Sequence, residues 1–129
     1  MSKVKRKLTT ILATDCVGFS KRMDENEELT LENLKACRSI IDPQIKEFGG
    51  RIFYTAGDSV IAEFESPVEC VNAAIGFQKA IKDRNNTLSE ESQLDWRVGI
   101  HLDDVIIEGD NVYGNGVNIA ARLETACSP

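Results

Sequence analysis

No stretch of the 129-residue sequence approaches the roughly 20 apolar residues that a helix needs to cross a bilayer, so no membrane segment is expected. The basic start, Met1-Ser-Lys-Val-Lys-Arg-Lys7, leads into an alternating segment with Thr9, Thr10 and Asp15 instead of the apolar core of a secretory signal. Residues 1–7 therefore read as a solvated basic tail. Cysteine is sparse: Cys16, Cys37, Cys70 and Cys127 are widely and irregularly spaced with no C-x-x-C pair, which suggests neither a zinc site nor a disulfide framework. Reduced thiols in a cytoplasmic setting are the default. A basic excess is also missing. Fifteen Lys and Arg stand against 21 Asp and Glu, a net charge of −6, which excludes nucleic acid as the main partner because phosphate-backbone binding needs clustered cations. Histidine is reduced to His101, which reads as a strand residue and not as a base or metal ligand. Internal repeats and low-complexity tracts are absent. What remains, 42% apolar and 28% charged residues, fits one soluble domain.

Strand-like and helix-like stretches interleave along that domain. Leu8-Thr-Thr-Ile-Leu-Ala-Thr14 reads as a first strand, and Arg51–Ala56 with Ser59–Phe64 as a hairpin bent at Gly57-Asp58. Between them Leu34, Cys37, Ile41, Ile45 and Phe48 recur at steps of three and four, the buried stripe of a helix. Pro43 is expected to kink or restart that helix, with Asp42 capping the second piece. Gly49-Gly50 is expected to end it through a left-handed backbone. Ser66-Pro67-Val68-Glu69 has the form of a capping box with proline at the first helical position, and Val71, Ala74, Phe77 and Ile81 give the helix that follows its stripe. Leu94, Trp96, Val98 and Ile100 alternate, leaving Arg97 on the opposite face, and Asp104–Glu108 is expected to form a second strand in a hairpin with them. Gly109-Asp110-Asn111 reads as the next turn. A last helix should carry Val117, Ile119, Ala120 and Leu123, with Asn118 and Arg122 on one face.

Two acids stand out because each closes an apolar strand-like run. Asp15 begins Asp15-Cys-Val-Gly-Phe-Ser20, and Asp58 ends Thr55-Ala-Gly-Asp58. Paired strands would bring both to one rim, where hard divalent cations find the oxygen ligands they prefer and a triphosphate supplies the rest. Each acid taken alone reads more readily as a turn residue, and it is the pair that points to cation binding. Gly18-Phe19-Ser20 places small groups at a helix start, where backbone N–H groups can wrap phosphates; a plain strand-to-helix turn is the alternative. Arg97 fits either phosphate binding or a surface ion pair.

These segments, together with Arg97-Val-Gly-Ile-His101 and Val112-Tyr-Gly-Asn-Gly-Val-Asn-Ile-Ala-Ala-Arg-Leu-Glu124, resemble in order and spacing the class III adenylate and guanylate cyclase catalytic domain of bacterial type. The resemblance runs from Arg6 onward. It implies an α+β, ferredoxin-like fold with a mostly antiparallel sheet flanked by helices. It also implies that Asp15, Asp58 and the backbone carbonyl of Cys16 hold two Mg2+ or Mn2+ ions. Attack of the ribose 3′-oxygen of ATP or GTP on the α-phosphorus would then expel pyrophosphate. Asn118 would orient the ribose, Arg122 would bind α-phosphate oxygens as charge develops, and Arg97 would grip phosphates. Because the family's sites lie between subunits, a head-to-tail homodimer is implied, with Asn118 and Arg122 acting across the interface.

Residues 8–129 are thus read as a nucleotidyl cyclase domain with three departures from the family. Tyr54 stands where adenylate cyclases of this kind have lysine, and Asn111 where they have aspartate, so the purine code is no longer clear. Family domains also continue past the last helix into strands carrying a phosphate-binding lysine, whereas this sequence stops at Ser128-Pro129. Either the sequence is a fragment cut there or it is a shortened family member, and weak activity at best is expected for these residues alone. The alternative class is a degenerate cyclase-homology module that dimerises or binds nucleotide without turnover.

Overall fold

Strand β1 (Lys5–Cys16) runs through the middle of a five-stranded sheet of order β2-β3-β1-β4-β5. The other strands are β2 (Arg51–Ala56), β3 (Ser59–Phe64), β4 (Trp96–Glu108) and β5 (Asn111–Tyr113), and every pairing is antiparallel. The computed structural model describes residues 5–108 and 111–113. Helices α1 (Phe19–Glu25) and α2 (Glu27–Glu47) follow β1, and α3 (Pro67–Asn85) follows β3. Helical connections after β1 and β3 and the central order β2-β3-β1-β4 are the ferredoxin-like arrangement expected from the sequence. The last predicted helix, with Asn118 and Arg122, lies outside the described residues.

Side-chain alternation divides the interior between the two faces of the sheet. On the helix side Leu12, Cys16, Val60, Ala62, Phe64 and Trp96 meet Leu34, Cys37, Ile41 and Ile45 of α2 and Cys70, Ala73, Phe77 and Ile81 of α3. On the other side Ile11, Ala13, Ile61, Val105 and Val112 form a smaller cluster with Phe53 against it.

Local signals fix the helix starts. Asn26 Oδ1 accepts from the Leu29 amide at 3.1 Å ahead of α2, and Ser66 Oγ accepts from the Glu69 amide at 3.2 Å ahead of α3. The Glu69 carboxylate accepts from Asn72 Nδ2 at 3.3 Å, so the predicted box is observed in one direction.

Three local expectations need correction. Helix α2 runs unbroken through Pro43, and Asp42 does not cap a second piece. Its carboxylate instead takes a two-pronged contact from Arg38, Nε to Oδ1 and Nη2 to Oδ2, both 2.8 Å. That fork bridges successive turns, and the fully buried Ile41 and Ile45 hold the flanking turns on the sheet, so packing outweighs the ~3 kcal/mol cost of an interior proline. The two strands expected on either side of residues 101–103 are one strand, β4. His101, Leu102 and Asp103 stay in register with Ile11, Thr10 and Thr9, and this uninterrupted ladder leaves no turn there. The observed hairpin joins β4 to β5, with Glu108 opposite Asn111. Finally, β1 begins at Lys5, earlier than the apolar run suggests, because its ladder with β4 extends to Lys5 opposite Ile107.

The glycine pair after α2 does two different jobs. Gly49 takes the left-handed conformation, φ 82°, that ends the helix. Gly50 is needed for space: a β-carbon there would lie 2.5 Å from Phe64 Cζ and 2.7 Å from Ile45 Cγ2.

Candidate active site at the rim of the sheet

Asp15 is the penultimate residue of β1, and the β1–β4 register sets it directly opposite Arg97. Arg97 Nε donates to Asp15 Oδ1 and Nη2 to Oδ2, each at 2.9 Å. The acid side chain is 15% exposed and the arginine 22%. Thr14 Oγ1 donates to the Arg97 carbonyl at 2.7 Å, and Gln78 Nε2 to the Trp96 carbonyl at 2.8 Å, so the start of β4 is tied to β1 on one side and α3 on the other.

Asp58 reaches the same rim from the β2–β3 turn. Ala56 and Ser59 pair across that turn, leaving Gly57-Asp58 as a two-residue connection with Gly57 at φ 57°. Asp58 Oδ2 accepts from the Cys16 amide at 2.9 Å. The residue after one acid therefore anchors the other. Burial raises the Asp58 carboxyl above the ordinary range, the amides of Cys16 and of Asp58 itself pull it down, the Asp15 charge raises it, and Arg97 lowers it. Burial also pushes the Cys16 thiol up to about 12, with the two nearby acids adding to the effect. At neutral pH that group is a protonated thiol, so any part Cys16 plays in binding cations falls to its backbone.

Gly18-Phe19-Ser20 follows at the junction of β1 and α1. Gly18 adopts φ 65° with open space where a side chain would project, Phe19 packs against the main core, and Ser20 is exposed. Tyr54 is 52% exposed and belongs to the row Tyr54, Ile61, Ala13, Gly99 across the sheet. The Asp15–Arg97 pair occupies the next row on that face. Asn111 stands opposite Glu108, nine positions beyond Gly99 along β4, or roughly 30 Å of extended strand. The register thus joins Tyr54 to the acidic rim without bringing Asn111 to the same row. His101 pairs with Ile11 inside the ladder, away from the rim.

Among the described residues no group of three or more His, Cys, Asp or Glu side chains converges as a metal cage. The donor set at the rim is the two carboxylates, with backbone alongside. Hard oxygen donors of this kind suit Mg2+ or Mn2+, whose remaining positions are filled by water and phosphate oxygens. The Arg97–Asp15 fork and the Cys16–Asp58 bond are the features that sequence reading missed. Both join residues far apart in sequence, and opposite charges facing across a ladder become readable only when the register is known.

A ferredoxin-like sheet with two acids and a guanidinium gathered at one rim defines an acidic, oxygen-donor site suited to phosphate chemistry. The family model of the adenylate and guanylate cyclase catalytic domain matches residues 2–129, and the chain belongs to that family. A Rhizobium meliloti protein named as an adenylate cyclase is 37% identical over 127 residues, which is 98% of this chain and 22% of that relative. The chain thus spans about a fifth of that relative's length. A solved adenylate/guanylate cyclase/hydrolase from Silicibacter pomeroyi superposes with a TM-score of 0.90 at 34% identity, covering 98% of this chain and 74% of that one. The adenylyl cyclase CyaB from P. aeruginosa gives 0.82 at 25% identity, covering 97% and 74%.

Proposed function

We propose that the chain is the catalytic domain of a purine nucleotidyl cyclase, a phosphorus–oxygen lyase of cytoplasmic signalling that converts ATP or GTP to the 3′,5′-cyclic nucleotide and pyrophosphate. The observation that carries this reading is the Cys16–Asp58 hydrogen bond at 2.9 Å, which ties the second acid to the strand bearing the first. Asp15, Asp58 and the Cys16 carbonyl are the groups that would hold two divalent ions. Bound there, the ions supply charge neutralisation for the triphosphate and acidify the ribose 3′-hydroxyl.

The remaining roles belong to the chain's own groups. Amides from Gly18 to Ser20 hold the β- and γ-phosphates at the start of α1, and Arg97 grips phosphate oxygens. The 3′-oxygen forms its bond to the α-phosphorus as the α–β anhydride bond breaks, the hydroxyl proton leaves to solvent, and pyrophosphate departs with the bonding pair. Arg122 of the partner subunit stabilises charge on the α-phosphate, and Asn118 of the partner subunit orients the ribose. Tyr54, in the row beside the acidic rim, contacts the purine, while Asn111 stands roughly 30 Å along β4 from that row and is kept only as a position of the family's purine pattern. Tyr54 can donate or accept, so discrimination between ATP and GTP is weakened roughly tenfold to a hundredfold relative to a site with one fixed pattern.

Incubation with Mn2+ and ATP or GTP, with cyclic product measured for the wild type and Asp58→Ala, tests the reading. Product that depends on Asp58 is expected; product unchanged by the substitution contradicts it. Tyr54 and Asn111 also favour a second reading, a dimerising cyclase-homology module that binds nucleotide without turnover. Saturable nucleotide binding with no cyclic product from either purine would select it. Mixing Asp58→Ala with Arg122→Ala should restore activity if complete sites form between subunits.

A further inference from the structure

The Asp15 carboxylate that the proposed function assigns to a divalent cation already has both oxygens engaged by Arg97. A hard cation binds the same two oxygens, and the guanidinium held against them opposes its charge. The two occupants therefore compete, and their geometry indicates how one gives way. The Arg97 backbone is fixed by the Thr14 hydroxyl, the ladder to Asp15 and the neighbouring Gln78 contact, while its side chain retains 22% exposure at the rim. The guanidinium can leave while the strand stays in place. Asp58 is held differently, with neutral donors on its carboxylate, the Cys16 amide among them.

We propose that Arg97 is an exchangeable counter-ion for Asp15: it holds the carboxylate aimed before the cation arrives, and on displacement turns to the triphosphate. This rests on the metal reading of Asp15 and Asp58 above. Charge arithmetic gives the exchange its direction. Two carboxylates and one guanidinium leave the rim at −1. One divalent cation makes it +1 and repels the guanidinium, and an incoming triphosphate offers that guanidinium a new anionic partner. Metal and nucleotide then bind cooperatively through one side chain, and Arg97 acts as a positioning residue before it touches substrate.

The test is a Mn2+ titration of the nucleotide-free chain, read by the EPR signal of free Mn2+, for wild type, Arg97→Lys, Arg97→Met and Asp58→Ala. Removing the competitor should tighten Mn2+ binding about tenfold or more in Arg97→Met, the scale set by loss of a charge-assisted fork. Arg97→Lys keeps the charge but not the fork and should fall between that variant and wild type. Arg97→Met should also melt lower than wild type in metal-free buffer and recover on adding Mn2+, which a purely structural ion pair would not do. Equal or weaker binding in Arg97→Met overturns the exchange while leaving the metal site standing. Arg97→Lys indistinguishable from wild type would reduce the effect to long-range charge and also overturn it. No Asp58-dependent Mn2+ binding in any form would remove the metal reading and this inference together. If Arg97→Met fails to fold, the charge-retaining lysine variant decides the matter.

Discussion

The Cys16 amide donates to Asp58 Oδ2 at 2.9 Å, so the strand that presents Asp15 also fixes the turn that presents Asp58. Relative placement of the two acids is a backbone property, set by the β1–β3 ladder that runs from Thr10–Phe64 to Thr14–Val60 just before both of them.

That placement costs stability. Burial raises the Asp58 carboxyl above its ordinary value of 3.8, so between that value and its raised one the folded chain binds more protons than the unfolded chain. Stability must then fall as pH rises through this window, the reverse of a salt-bridged aspartate. Asp58→Asn keeps an oxygen for the Cys16 amide and removes the half-buried charge. Thermal unfolding at pH 7 should show Asp58→Asn at least as stable as wild type, with this acid-side dependence flattened and Mn2+ binding lost. A marked drop in its melting temperature would count against the assignment.

The cysteines give a second check. Cys16, Cys37 and Cys70 are buried, and burial pushes the Cys16 and Cys70 thiols up to about 12. Iodoacetamide at pH 8 should leave all three unmodified in the folded chain and label them in urea, with peptide mass spectrometry as the readout. Rapid native labelling of Cys16 would contradict the packing described for the rim.

Gly50 tests the fold below the site. A methyl group there meets the Phe64 ring and the Ile45 side chain at under 3 Å, both inside the main core. Gly50→Ala should cost about 1–3 kcal/mol in urea unfolding, typical of overpacking, despite a backbone any residue can adopt. A neutral result would mean the α2–β2 junction is looser than described.

Much of this was legible in the sequence because it depends on local chemistry. The Gly57-Asp58 turn, the Ser66 cap, the stripe of α2 and most of that of α3 follow from conformational preference and periodicity, although Val71 is 43% exposed and Cys70 and Ala73 take the buried face in its place, and the motifs around Asp15 and Asp58 pointed to one rim. Long-range balance escaped a local reading. Pro43 looked like a break because its cost is local, while the burial of Ile41 and Ile45 that offsets it is tertiary. The gap between Ile100 and Asp104 looked like a turn because an apolar strand-like run stands on each side of it, yet β1 supplies ladder partners straight through it. The Arg97–Asp15 fork spans 82 positions, and the sequence left its arginine between phosphate ligand and ion pair; the structure shows the ion pair.

The most direct test of the central claim is the anomalous scattering of Mn2+ in crystals grown with 3′-deoxy-ATP, which cannot cyclise. Density bridging the Asp15 and Asp58 carboxylates, with Arg97 turned away from Asp15, is the predicted result. Manganese bound elsewhere, or Arg97 still forked on Asp15 beside an ordered triphosphate, would contradict it.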